Sequence, residues 1–225
     1  MIQTVIFDMD GVLIDSEPIH HLAYIQHFKE LEIEVDKALY NSFVGGSTKN
    51  IYKRIKDIYE LSHSVEDLVN RKRALFSAVF DQDVSIKLMD GVFDLIKELH
   101  QNGIQLIVAS SSSYTNINMI FEKFGLNPYF SAKVSGEDFP ESKPNPAIFN
   151  KAVELSGHQK ETCIIIEDST NGIKAANAAG VFVIGFKAID SFQDYTTADM
   201  VVSSYDELSY EIIAEINPKP EYKNL

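Results

Sequence analysis

Short apolar runs that drop straight into polar clusters recur along this chain, and the stretches between them space their apolar residues for helices. Val5-Ile6-Phe7 is the first such run, and it ends in Asp8-Met9-Asp10-Gly11. With no polar position inside it, the run reads as a strand buried on both faces, as in a parallel sheet. Residues 16–83 then read as helix after helix, with no convincing strand. Ser16-Glu17-Pro18 starts the first helix, with proline in its first turn, and Ile19, Leu22, Ala23, Ile25, Phe28 and Leu31 give it an apolar spacing. A second helix is expected over residues 37–43. Gly45-Gly46-Ser47-Thr48 breaks the chain, and Ser47 or Thr48 can cap a third helix running through Ile51, Ile55 and Ile58. Ser64-Val65-Glu66-Asp67 has the form of a capping start for a fourth, which carries Leu68, Leu75, Phe76 and Val79.

From residue 90 the pattern alternates strictly. A helix over 92–102 ends at Gly103, and a strand over 105–109 runs into Ser110-Ser111-Ser112-Ser113. A helix over 116–124 ends at Gly125; a short strand over 132–134 and a loop over 135–146 lead to a helix over 147–156. The strand 163–166 delivers Glu167-Asp168, a helix over 171–179 ends at Gly180, and a strand over 182–185 follows. Val201-Val202 adds an edge strand and 205–216 a last helix. Strand–helix alternation of this kind predicts an α/β fold, a parallel sheet with helices on both faces. The expected division is a core of residues 1–15 and 84–225 with an inserted all-α, four-helix unit at 16–83.

The polar clusters gain meaning from their position. In such sheets ligands bind at the carboxyl ends of the strands. Asp8/Asp10, Ser110–Ser113 and Glu167/Asp168 each follow directly on an apolar strand. In extended chain Asp8 and Asp10 point the same way and can aim at one site. Two close carboxylates repel unless a cation or a shared proton relieves them, so the pair suggests a metal site, an acid/base pair, or both. Glu167 and Asp168, with Asp8 and the Asp10 backbone carbonyl, would suit Mg²⁺; a helix N-terminus with favourable acidic residues is the ordinary alternative. The Ser110 hydroxyl, with Ser111 and the N–H groups that follow it, can cradle an anion at a helix start, or the serines simply form a turn. Lys143, between Ser142 and Pro144-Asn145-Pro146, is either a solvated surface charge or an ammonium held by a stiffened backbone. Taken together the parts describe phosphoryl transfer, with Asp8 attacking phosphorus and Asp10 serving as acid and base.

Composition narrows the partners. A chain of 225 residues with 45% hydrophobic and 24% charged residues can bury a proper core. A net charge of -13 argues against nucleic acid, whose phosphates need a basic footprint. The single cysteine, Cys163, lies in an apolar run and reads as a buried thiol with no internal disulfide partner. No signal peptide or membrane span is visible, so a cytoplasmic address, without a membrane partner, is the default expectation. A monomer is the simplest expectation for a chain that encloses its own site.

Phe7-Asp8-Met9-Asp10-Gly11-Val12, Ser110, Lys143 and Glu167-Asp168-Ser169-Thr170-Asn171-Gly172, in this order and at these strand ends, resemble the four motifs of the haloacid dehalogenase-like (HAD) superfamily, in its phosphatase and phosphomutase branch. The resemblance covers essentially the whole chain. It implies a Rossmann-like core with a helical cap inserted after the first strand, an Mg²⁺ cofactor at Asp8, Asp10, Glu167 and Asp168, an Asp8 nucleophile and an Asp10 acid/base. Dehalogenation is disfavoured, because that branch lacks the second aspartate. The nearest resemblance is to β-phosphoglucomutases and sugar-phosphate phosphatases. His20 and Lys72 fall where the mutase has a histidine and a cap lysine, and Gly45, Gly46 and Ser47 form a cap loop that would touch substrate. Two departures weaken the mutase: Thr48 stands where it has an arginine and Ser113 where it has a lysine, although Lys49 can substitute for one. The expectation is a Mg²⁺-dependent phosphatase acting on a small phosphorylated metabolite, a sugar phosphate. A β-phosphoglucomutase, or a non-catalytic phosphate-binding or interaction protein on the same fold, are the alternatives.

Overall fold

A computed structural model of the chain describes residues 1–43, 46–82, 86–189 and 191–217. Six parallel strands form one sheet: β1 (Thr4–Phe7), β2 (Gln105–Ser110), β3 (Phe130–Ser135), β4 (Cys163–Glu167), β5 (Phe182–Phe186) and β6 (Met200–Val202), in the order β3-β2-β1-β4-β5-β6. The order reverses direction at β1, which pairs with β2 on one side and β4 on the other. Crossovers therefore leave β1 and β4 toward opposite ends of the sheet and open a crevice at their carboxyl ends, where α/β proteins bind ligands.

Strand residues alternate between two cores, as a period of two requires. Val5, Phe7, Leu106, Val108, Ile164 and Ile166 face one helical layer that includes α5 (Val92–Gln101) and α6 (Tyr114–Lys123). Ile6, Ile107, Cys163 and Ile165 face the other, with α7 (Ala147–Ser156) and α8 (Thr170–Ala179). Cys163 is a buried free thiol, as expected.

The four helices expected between the first strand and residue 84 are present: α1 (Glu17–Glu30), α2 (Lys37–Asn41), α3 (Thr48–Tyr59) and α4 (Val65–Gln82). Ser47 caps α3 by accepting from the Asn50 N–H, and Ser64 accepts from the Asp67 N–H at the start of α4. Tyr24, Phe28, Phe43, Ile51, Tyr52, Ile55, Leu68 and Val69 form a separate aromatic-rich cluster among these helices. Ile19, Ala23, Leu75, Phe76 and Phe80 instead join the large cluster on the sheet, so α1 and α4 each belong to both.

Several details differ from the sequence reading. On α1 the buried stripe is Ile19, Ala23, Tyr24, His27 and Phe28, while Leu22 and Ile25 remain about half exposed. A stripe one turn wide is all that two flanking helices can cover, and tyrosine and histidine fill it with their polar atoms paired. The last helix splits into a short turn over Tyr205–Glu207 and α9 (Tyr210–Glu215), because Ser204 and Ser209 each cap a fresh start. β3 is longer than expected and includes Phe130 and Ser131. None of the described helices is long and apolar enough to cross a membrane.

Candidate active site

β1 ends at Phe7, and the Asp8 N–H donates to Ile166 of β4 at 3.0 Å, so Asp8 stands beside the Glu167 end of that strand. Lys143 reaches over from the loop before α7. Its Nζ lies 2.6 Å from Asp8 Oδ1, 2.7 Å from Glu167 Oε2 and 3.4 Å from the Ala109 carbonyl. All three charged side chains are buried, which rules out the solvated-surface reading of Lys143.

Glu167 is fully engaged. Its other oxygen, Oε1, accepts from the Ser169 N–H and hydroxyl at 3.0 and 2.7 Å, and the same hydroxyl caps α8 through the Gly172 N–H. Gly172 is required sterically: a Cβ there would lie 1.9 Å from the Glu167 carboxyl carbon. Gly11 plays a similar part. It has φ +80°, and a Cβ on it would meet Asp168 Oδ2 at 2.2 Å. The turn it allows folds the Val12, Leu13 and Ile14 N–H groups back onto the Met9 carbonyl.

Asp10 lies beyond the strand, and its carboxylate has a different set of partners. Ser16 donates to it through a short hydrogen bond, Ser112 donates at 2.9 Å, and His20 Nε2 lies at 3.3 Å. Ser110, fully buried, approaches more distantly at 3.4 Å and accepts from the Ser112 N–H at 3.0 Å. Behind His20, its Nδ1 pairs with Lys72 Nζ at 2.6 Å, and the buried Lys72 sits over the Tyr24 and Phe76 rings. Burial pushes Lys72 down to about 7, against the pull of Asp10.

The two aspartates are consequently tuned apart. Burial, and then the Glu167 charge, raise Asp8 to about 8 in spite of Lys143. Burial acts on Asp10 as well, but the His20 charge and hydrogen bonds from His20, Ser16 and Ser112 outweigh it and hold Asp10 well below the usual carboxylate range. Burial, with Glu167 and Asp8 nearby, raises Asp168 well above it.

Asp8, Glu167 and Asp168 bring one carboxylate oxygen each within 4.8 Å of one another. Lys143 is the one ammonium ion-paired with this group among the described residues, so three carboxyl groups share one cation. No described side chain donates a hydrogen bond to the Asp168 carboxylate, which faces the cavity. A hard divalent cation fits this donor set. The Asp10 carboxylate is turned to Ser16, Ser112 and His20, so any contribution from Asp10 to a metal falls to its backbone carbonyl.

A cavity of about 400 Å³ opens over these groups. Asp8, Asp10, Lys143, Glu167, Asp168, His20, Ser111 and Gly46 line it, all positions expected from the sequence. Three expected residues do not line it: Ser110 supports Asp10 and Ser112 from behind, Ser47 is a helix cap, and Lys72 acts through His20. Gly45 lies outside the described residues. Ser112 was missed, because a run of four serines gives no means of telling which hydroxyl turns inward. Asp15, Glu17, Tyr24 and Tyr40 also line the cavity.

Known proteins share this architecture. The chain is similar to the phosphorylated carbohydrates phosphatase of Thermotoga maritima, 27% identical with 80% of this chain and 82% of the other covered. CbbY from Rhodobacter sphaeroides, solved in complex with phosphate, superposes with a TM-score of 0.82 at 28% identity over 92% of this chain and 96% of that one. A CbbY mutant solved with xylulose-(1,5)bisphosphate gives 0.81 at 27% identity over the same shares, 92% and 96%. β-Phosphoglucomutase from Clostridium difficile gives 0.85 at 25% identity, with 96% of each chain covered. A family model described as haloacid dehalogenase-like hydrolase matches residues 5–186, which span β1 through β5 and every strand end that bears a charged group of the site. With the four motifs gathered at one crevice and the match running through all of them, this chain belongs to the haloacid dehalogenase-like hydrolase family.

Proposed function

We propose that the protein is a Mg²⁺-dependent phosphatase that hydrolyses a small phosphorylated metabolite, a sugar phosphate, through an aspartyl-phosphate on Asp8. The observation that carries this reading is the division of labour between two aspartates two residues apart, one gripped by Lys143 and the other by His20 and hydroxyls. An aspartate on the cavity wall with one oxygen held by Lys143 suits nucleophilic attack, and a separately tuned neighbour suits proton transfer.

In the first step an Asp8 oxygen forms a bond to phosphorus as the bond to the leaving oxygen breaks, and the alcohol departs with a proton from Asp10. Asp10 is ionised in the free protein, so that proton arrives with the substrate or from solvent. In the second step Asp10 takes a proton from water as its oxygen attacks phosphorus, which releases inorganic phosphate and regenerates Asp8. Lys143 orients Asp8 and offsets charge throughout. Asp8, Asp168, Glu167 and the Asp10 carbonyl would hold the Mg²⁺, which when bound supplies positive charge against the phosphoryl oxygens.

Residues 16–83 are read as a cap that excludes bulk water and selects the leaving group, above a core of 1–15 and 84–225. Similarity to a carbohydrate-phosphate phosphatase and to CbbY supports the substrate class. The mutase alternative is disfavoured: Thr48 lines the cavity with no charge, and Ser113 is buried as the cap of α6. Lys49, the candidate replacement, is exposed and is not on the cavity wall.

Phosphate release from a panel of sugar phosphates is the test, run beside conversion of β-glucose 1-phosphate to glucose 6-phosphate. Release with Mg²⁺ that chelation abolishes, and that Asp8→Asn lowers by about a thousandfold or more, is expected. Isomerisation outpacing release would establish the mutase, and full turnover by Asp8→Asn would remove Asp8 as nucleophile.

A further inference from the structure

The outer part of the cavity has a charge pattern that the proposed chemistry does not use. Asp15 and Glu17, both exposed at the start of the helical insert, line it, and no lysine or arginine except Lys143 does so among the described residues. The Tyr40 hydroxyl donates to Glu17 Oε1 at 3.0 Å and holds that carboxylate on the wall. Four cations close to this wall are committed elsewhere, and Lys37 lies with Asp15, Glu17 and Tyr40 in the adjoining cavity rather than in this one. Lys143 lies between Asp8 and Glu167, Lys72 is buried against His20, and Arg54 donates to Ser42 at 2.7 Å. Arg73 pairs with Glu137 at 2.7 Å. The rest of the outer wall is uncharged: Tyr24, Phe43 and Ile51 from the insert and Phe192 from the segment after β5 alternate with the neutral polar side chains of Asn41, Thr48, Ser191 and Gln193.

A negative group on the departing alcohol would be driven against Asp15 and Glu17, and the outer wall offers it neutral side chains but no lysine or arginine to balance its charge. A hydroxyl would meet acceptors there, and an ammonium would meet both carboxylate and ring faces. We infer that the substrate is a phosphomonoester whose alcohol part carries no negative charge, and that Glu17 is the residue that rejects an anionic one. The inference rests on the hydrolase reading for its reaction but not for its binding preference. It separates this chain from the CbbY mutant solved with a bisphosphate, whose ligand bears a second anionic group.

Three two-carbon esters isolate charge from size: hydroxyethyl phosphate, phosphoethanolamine and phosphoglycolate. Their equilibrium binding to the Asp8→Asn protein in Mg²⁺, read by calorimetry, tests the preference without turnover. The neutral and cationic esters are expected to bind about tenfold or more tighter than phosphoglycolate. Glu17→Gln, which keeps an acceptor for Tyr40, is expected to shrink that ratio several-fold. Equal or tighter binding of phosphoglycolate would overturn the inference, as would binding of none of the three. A ratio unmoved by Glu17→Gln would overturn the assignment to Glu17. Phosphate release by the wild-type protein is read separately. Charge-ordered binding with no release from any ester would count against hydrolysis and for the specificity.

Discussion

The carboxyl edge of the sheet and the helical insert solve the problem of burying polar groups in opposite ways. At the sheet edge the titratable groups of Asp8, Lys143 and Glu167 are almost fully buried and satisfied by one another. In the insert the buried polar atoms are mostly neutral hydrogen-bond partners, as where the Tyr52 hydroxyl lies 2.6 Å from His27 Nδ1. Buried ions are expensive unless every partner is in place, so the sheet edge tolerates almost no change. Neutral pairs among aromatic rings cost less to rearrange, so the helical segment tolerates more change than the sheet edge.

The largest break in this contrast is expected at Lys143. Lys143→Met would leave Asp8 and Glu167 buried against each other without their cation. A loss of about 3–5 kcal/mol in urea unfolding is expected, together with loss of turnover. A variant as stable as wild type would mean that the carboxylates relax by taking up protons at little cost.

Gly172→Ala is the next test, because it leaves every charge in place and intrudes first on Glu167. A destabilisation of about 1–3 kcal/mol is expected, with weaker Mg²⁺ binding as Glu167 is displaced. Wild-type melting and Mg²⁺ affinity would show that α8 can move away without consequence.

The smallest effect belongs to the insert. Burial, offset only in part by Glu30, pushes His27 down to about 4 from an ordinary value of 6.5. The unfolded chain therefore takes up the proton first. This contribution is complete above about pH 6.5 and is lost as the pH falls from there toward 4. Thermal melts at about pH 7.5 and about pH 5 should show a drop that His27→Gln reduces by a few degrees. An identical drop in both proteins would place the acid sensitivity in other groups.

The same contrast explains what could be read in advance. Charged groups at strand ends are conspicuous, because an apolar run with a carboxylate at its tip has no packing explanation. Asp8, Asp10, Glu167 and Asp168 were legible for that reason, and so was the order of strands and helices that delivers them. Lys143 was legible only through its company, since nothing in Ser142-Lys143-Pro144 says that the ammonium points inward. The insert was legible as four helices but not as a surface. Leu22 and Ile25 looked like core and are about half exposed, while Tyr24 and His27, outside the predicted apolar spacing, are buried. Helical periodicity gives the direction of a stripe but not its width, which depends on how closely neighbouring helices pack. Ser112 was missed on similar grounds, because its hydrogen bond goes to a residue far away in sequence, Asp10.

Gly11 and Gly172 bear on any attempt to move this chemistry to another scaffold. Each leaves a space the size of one methyl group, and into those spaces go the carboxylates of Asp168 and Glu167. A transplant that copied every charged side chain but let alanine stand at either position would push its own carboxylates out of place. The portable unit is a set of side chains together with two deliberate vacancies, and a search for distant cousins of this site should look for both.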